Sequence, residues 1–190
     1  MKTCLKTLVR CVFFLATSCV KERINPSLDA HKKDDALTSH YIGQSFGGGI
    51  IFYLDSTGAH GLIASNNDVS VGLWYAGVRL NTHAKDSAIG TGLCNTKKIV
   101  KAQGDNGVNY AAWQCDTFTA GGYKDWFLPS KEELNQLYLH RNVIGIYTTG
   151  FYWSSTESGK GHAWAQDFTN GLQSDDKKTI TRFVRAVRAF

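Results

Sequence analysis

Strand-forming runs crowd both ends of the region from Gly47 to Phe190, and the helix signals lie between them. No other feature restricts the fold as much. Gly47-Gly48-Gly49 opens the run Ile50-Ile51-Phe52-Tyr53-Leu54, and Gly61-Leu62-Ile63-Ala64 follows the turn Ser56-Thr57-Gly58. Two apolar runs about a Gly-containing turn predict a hairpin. At the other end, Phe151 to Ser155 and His162 to Phe168 read as strands. Asn170-Gly171 has the chemistry of a two-residue hairpin turn, and Arg182 to Phe190 reads as a last strand. Hairpins around a helical middle predict an α+β fold with a largely antiparallel sheet.

Two helices are expected at Thr96 to Gln103 and Val108 to about Phe118, each bounded by glycine. A third has a stronger signature. Ser130 as N-cap and Glu133 three residues on form a capping box, with Pro129 just outside. Leu134, Leu137, Tyr138 and Arg141 then share one helical face, so this helix should run to about His140. Residues 66–92 are rich in Asn, Gly, Asp and Ser around Trp74-Tyr75 and read as a long loop.

The first forty residues follow a different logic. Lys2, Lys6 and Arg10 flank the apolar run Cys11 to Thr17, and small residues lead into Cys19. Residues 1–18 therefore read as a secretory signal, too short in its apolar part to span a bilayer. Leu15-Ala16-Thr17-Ser18-Cys19 is similar to a bacterial lipobox, with the favoured leucine one place early. Cys19 is thus expected to become a lipidated first residue, anchoring the chain to the cell envelope at an outer membrane or cell surface. Residues 19–40 are charged and poor in aromatics, so they cannot bury enough apolar area to offset their ordering entropy and read as a tether. The domain itself is expected over residues 41–190.

From Cys19 onward the chain carries 18 basic against 16 acidic residues, a net of +2. A balance so near neutral gives no footprint for nucleic acid. Cys94 and Cys115 are the cysteines left in the domain. In an oxidising compartment they could close a disulfide loop or remain buried thiols.

Catalytic signatures are weak. Gly43-Gln44-Ser45-Phe46-Gly47 matches G-x-S-x-G, but that motif needs a strand before the serine and a helix after it. Here a tether precedes and a strand follows. The six histidines are scattered, with neither HExxH nor CxxC, so no zinc site is expected. Asp and Asn oxygens at 66–68 and 105–109 offer calcium chemistry without EF-hand spacing, so no cofactor is assigned.

Three segments in order, IGQSFGGGIIFYLDSTGAHGLIAS, GGYKDWFLPSKEELNQLY and FYWSSTE…AWAQDFTNG…VRAVRAF, resemble the Legionella collagen-like protein C-terminal domain family. The resemblance covers nearly all of residues 42–190. It implies a C-type-lectin-like fold with an antiparallel sheet, two to three helices and long irregular loops. It implies further an exported domain that adheres to surfaces and binds sulfated polysaccharides. The adhesive members form trimers, so the resemblance implies a homo-oligomer; an envelope protein is a further expected partner. The fold also resembles that of formylglycine-generating enzymes, whose late, closely spaced cysteine pair holds copper. This chain has no cysteine after Cys115, and losing thiolate ligands removes that chemistry. The expectation is therefore a non-catalytic binding domain for carbohydrate or another extracellular polymer, with the oxidoreductase, or a structural envelope protein that binds another protein, as the alternatives.

Two groups of residues are candidates for the ligand. Trp74 and Tyr75 lie in the long loop, where aromatic faces could stack on sugar rings; Trp126 and Trp153 are expected in the core. Strand alternation would place Arg182 and Arg188 on one face, and with Lys177 and Lys178 that face could meet an acidic glycan. The alternative is internal ion pairing, for instance to Glu157 or Asp167.

Overall fold

A computed structural model describes residues 39–190, which form one compact unit from Ser39 to Phe190. The signal segment, Cys19 and nearly all of the expected tether lie outside the described residues. No helix among the described residues is long and apolar enough to cross a membrane.

The architecture is α+β, with two sheets rather than one. The first sheet has the order β1-β2-β3-β9, built from Ser45–Phe46, Gly49–Leu54, Gly61–Ala64 and Val187–Ala189. The second has the order β4-β8-β5-β6-β7, from Ser70–Gly72, Arg182–Val184, Phe151–Gly159, His162–Asp167 and Gln173–Lys177. All pairings are antiparallel except β5 with β8. Three helices, α1 Gly92–Gln103, α2 Ala111–Asp116 and α3 Lys131–Leu139, occupy the middle of the chain.

β3 and most of β5 are buried on both faces, which explains their runs of consecutive buried residues. Ile51, Ile63, Trp153, Ala163 and Ala165 join Ile99 of α1 and Ala111, Ala112 and Cys115 of α2 in one cluster. Phe52, Leu62, Ala64 and Tyr152 join Leu134 and Leu137 of α3 in the other. A bulge between Ile51 and Tyr53 re-aims β2 as its side chains divide between the two clusters.

The capped helix forms as its sequence predicts. Ser130 Oγ accepts from the Glu133 amide at 3.3 Å, and the Glu133 carboxylate accepts from the Ser130 amide at 2.7 Å. That carboxylate does more than cap its own helix. It is fully buried and also accepts from the amides of Gly90 (2.8 Å) and Gly92 (3.4 Å), at the start of α1. A Cβ at position 92 would sit 2.1 Å from its oxygen. So α1 begins one turn before Thr96, because an acceptor from α3 holds its first turn. The second expected helix is shorter than predicted: Tyr110 is extended and bridged to Leu73, leaving Val108 exposed.

Other expectations need correction. Arg182 to Phe190 is not one strand. It crosses from the second sheet to the first between Val184 and Val187, and Ala186 accepts from the Ser65 amide at that step. The turn near Asn170-Gly171 is longer than two residues: the Gly171 amide donates to Asp167 O (2.7 Å), and Phe168 turns inward against the Tyr152 ring.

The long loop is pinned rather than loose. Lys178 and Glu157, both fully buried, pair at 2.5 Å. Lys178 Nζ also donates to the carbonyls of Leu80 and Lys160, and lies 4.2 Å from the centre of the Trp74 ring. Glu157 accepts from the amides of Thr82 and His83, where His83 holds φ at 58°. Positive φ in a non-glycine residue is uncommon, and here it turns two successive amides onto one carboxylate.

Removing one member of a buried, hydrogen-bonded ion pair strands the other charge, at a cost of about 3–5 kcal/mol. Urea unfolding of Lys178→Met should show a loss of that order. Lys178→Met with Glu157→Gln should recover part of it, and an unchanged midpoint in the single variant would contradict the pinning role.

Candidate functional site

The residues singled out from sequence do not assemble one site. Trp74 is not a loop aromatic open to ligand: it is 0 % exposed, and its indole N–H donates to the Ser154 carbonyl at 2.8 Å. Tyr75 is half-buried against the same cluster. Trp126 and Trp153 are core residues, as expected. The loop has a surface composition, yet Trp74 fastens it to β5.

Nor is there a basic face. Arg182 gives both Nε and Nη2 to Asp176 (2.9 and 2.8 Å), and its guanidinium lies over Phe151. Arg185 pairs with Asp68 at 2.8 Å and donates to the Asn66 carbonyl at 3.1 Å. Arg188 binds Asp125 through Nε and Nη2, each at 2.8 Å. Lys178 is the buried partner of Glu157, and of the four cations in the expected face only Lys177 is exposed, on β7. Internal pairing therefore replaces the acidic-ligand face, because β8 and β9 belong to different sheets and point their arginines at different carboxylates.

Cys94 and Cys115 are not joined by a disulfide. Cys115 is fully buried in α2, with its thiol 4.0 Å from the Arg185 carbonyl, and burial pushes its pKa up. Cys94 is half-exposed on α1. Among the described residues no group of three or more His, Cys, Asp or Glu side chains is placed to hold a metal.

A cleft of about 450 Å³ lies elsewhere, lined by Ser45, Phe46, Gly47, Gly48, Gly49, Asn66, Ala120 and Gly121. Its volume falls within the usual range for small-ligand sites. One wall is the turn between β1 and β2. Gly47 and Gly48 both have positive φ, 55° and 87°, as a type I′ hairpin turn demands, so the glycine run is a turn rather than a nucleophile elbow. The opposite wall is the turn from Ala120 to Tyr123. The two backbones touch: a Cβ on Gly121 would lie 2.4 Å from Gly48 Cα, and one on Gly48 would lie 2.7 Å from the Ala120 carbonyl oxygen.

Of the ligand-binding candidates read from the sequence, only Arg188 reaches this neighbourhood; Ser45 and Asn66, singled out for a nucleophile motif and for calcium, are part of its lining. Its Nη1 donates to the Gly47 carbonyl at 3.4 Å, and its guanidinium lies 3.8 Å from the centre of the Tyr123 ring. Its partner Asp125 is half-open to solvent, with 53 % of its side chain exposed. Hydrogen bonding to Arg188 holds the Asp125 carboxyl below its ordinary pKa. Phe46 is 37 % exposed and packs against His40 and Phe190 at ring-centre distances of 4.4 and 5.2 Å. Sequence reasoning missed this cleft because its walls are backbone. The available signal was two glycine clusters, 47–49 and 121–122, each too ordinary to be read as a site alone.

Two measurements check this geometry. Alkylation with iodoacetamide at pH 8 should leave Cys115 unmodified until the protein is unfolded, since the buried thiol is both shielded and un-ionised; a linked Cys94–Cys115 peptide would contradict it. A carboxyl whose folded pKa is depressed contributes stability above its unfolded pKa of about 3.9, and loses it as pH falls through the folded value. Carbon-detected NMR should place the Asp125 midpoint below the ordinary range, and Arg188→Gln should return it there.

Comparison with known proteins agrees with the fold. A search of curated proteins gave no match. A fimbrial protein from Bacteroides ovatus has a similar structure, with a TM-score of 0.52 at 14% identity over 73% of this chain and 43% of its own. This chain therefore corresponds to less than half of that protein, and at such low identity the likeness is one of fold. The sequence of residues 74–188, more than half of the chain, matches the Lcl C-terminal domain. The chain belongs to the Lcl C-terminal domain family.

Proposed function

We propose that this chain is a surface-displayed adhesion domain that holds an extracellular polymer, carbohydrate in the first instance, without altering it chemically. The observation that carries the reading is the cleft beside the Gly47-Gly48 turn. Its lining combines an aromatic ring, a hydroxyl, a side-chain amide and glycine backbone, which are the groups that stack on and hydrogen-bond to a sugar. The two turns pack backbone to backbone, and a site formed in advance loses little ordering entropy on binding.

The comparisons support the setting. An Lcl C-terminal domain and a fold shared with a fimbrial protein both fit a domain that works outside the cell. In this reading the segment up to Ser18 directs export, and Cys19 carries the lipid that fastens the domain to the envelope, a lectin-like scaffold on a tether. Ser45 follows the tether and precedes a hairpin turn, so no helix holds it as a nucleophile.

A glycan array probed with the purified full-length chain, with and without chelator, should show saturable binding to at least one polysaccharide that survives chelation. A blank array in both conditions would overturn the carbohydrate reading. Mass spectrometry of envelope-extracted protein should find an acylated Cys19 at the mature N-terminus, and an unmodified later start would remove the anchor.

A further inference from the structure

We propose that Arg188 is a positioning residue for the cleft: its guanidinium ties the Gly47-Gly48 turn to the turn from Ala120 to Tyr123 and so sets how far apart the two walls stand. This rests on the reading of the cleft as the ligand site and adds the group that fixes its shape.

The tie runs through every edge of one side chain. Arg188 lies on β9, opposite Ile63 of β3. Its Nη1 donates to the Gly47 carbonyl at 3.4 Å, on the first wall. A Cβ on Gly47 would stand 2.7 Å from that nitrogen, so the approach requires glycine there. The flat face of the guanidinium lies 3.8 Å from the centre of the Tyr123 ring. Tyr123 closes the second wall: its amide donates to the Ala120 carbonyl at 3.0 Å, and its carbonyl accepts from the Ala120 amide at 3.3 Å. Nε and Nη2 bind Asp125, two residues further along the same segment, at 2.8 Å each.

A planar fork serves these three directions at once, which a lysine ammonium cannot do. The Arg188 side chain is only 8 % exposed, whereas its partners on the second segment reach solvent, Asp125 through half of its side chain and Tyr123 through 41 % of its surface. Contact between the glycine backbones limits how near the turns come, but it does little to stop them parting. The guanidinium supplies that restraint. Arg188 is not itself part of the lining, so it acts on a ligand through the turns.

The test uses the full chain with Asp125→Asn and with Tyr123→Leu, and thermal melting confirms that each variant folds. Tyr123→Leu, at an exposed ring, keeps the test open if Asp125→Asn unfolds by stranding the buried guanidinium. Amide relaxation dispersion reads motion on the μs–ms timescale and needs no ligand. Both variants should show exchange at Gly47, Gly48 and Gly121 that the parent chain lacks. Turns that stay silent in every folded variant would overturn the inference and leave the polymer-binding reading intact. Binding is then measured with dextran and dextran sulfate as probes. Affinity for whichever probe the parent chain binds should fall about fivefold in each variant. The double variant should lose no more than the weaker single one, because both changes act through one guanidinium. Losses that add, with both turns still, would make Asp125 and Tyr123 direct ligand contacts and overturn the positioning role. If neither probe binds, the dispersion result alone decides whether Arg188 ties the walls, and the glycan array decides the carbohydrate reading.

Discussion

Two opposite charges with no access to water, Lys178 and Glu157, hold the irregular half of this domain in place. A buried ion pair is stable only when its remaining donors and acceptors are met, and here the chain supplies every partner from loops. Lys178 Nζ finds the carbonyls of Leu80 and Lys160, and Glu157 finds the amides of Thr82 and His83. The loop after β4 must therefore pass through fixed points, with Trp74 lying over the lysine and its indole nitrogen tied to β5. A segment with the composition of a flexible loop becomes part of the core. Ahead of β4, Arg185 holds the Asn66 carbonyl and pairs with Asp68, which fixes the backbone at the edge of the cleft.

The same economy governs the other charges. Near-neutral net charge is realised locally: Arg182, Arg185 and Arg188 each face one carboxylate, on three different elements. This leaves the exposed surface without the arginine face that the last strand seemed to offer. In the proposed reading the partner is recognised by shape, stacking and hydrogen bonding at the cleft. Glycine backbone makes its walls because the two turns approach closer than any side chain would allow.

How much of this was legible in the sequence depended on how local each determinant is. The hairpin at Gly49–Ala64 and the capped helix at Ser130 were readable because turn residues and a capping box act over a few positions. The α+β class followed from their order. The start of α1 was not readable, since Glu133, some forty residues away, caps it. The last strand was misjudged because periodicity cannot show where a chain passes from one sheet to another. Asn, Gly and Ser around Trp74 and Tyr75 give that stretch the composition of a surface loop, but burial of a loop is decided by distant partners. Neither half of the cleft signals itself, because it exists only where two glycine turns meet.

The central claim is that this uncharged, glycine-walled cleft is where the domain meets its ligand. Amide chemical-shift mapping of the full chain, titrated with an oligosaccharide of whichever polymer the glycan array identifies, tests it most directly. The account predicts that the largest changes fall on residues 45–49, on Asn66 and on residues 120–121, with the amides of β7 unmoved. Shifts confined to β7 around Lys177, with the two turns silent, would contradict it.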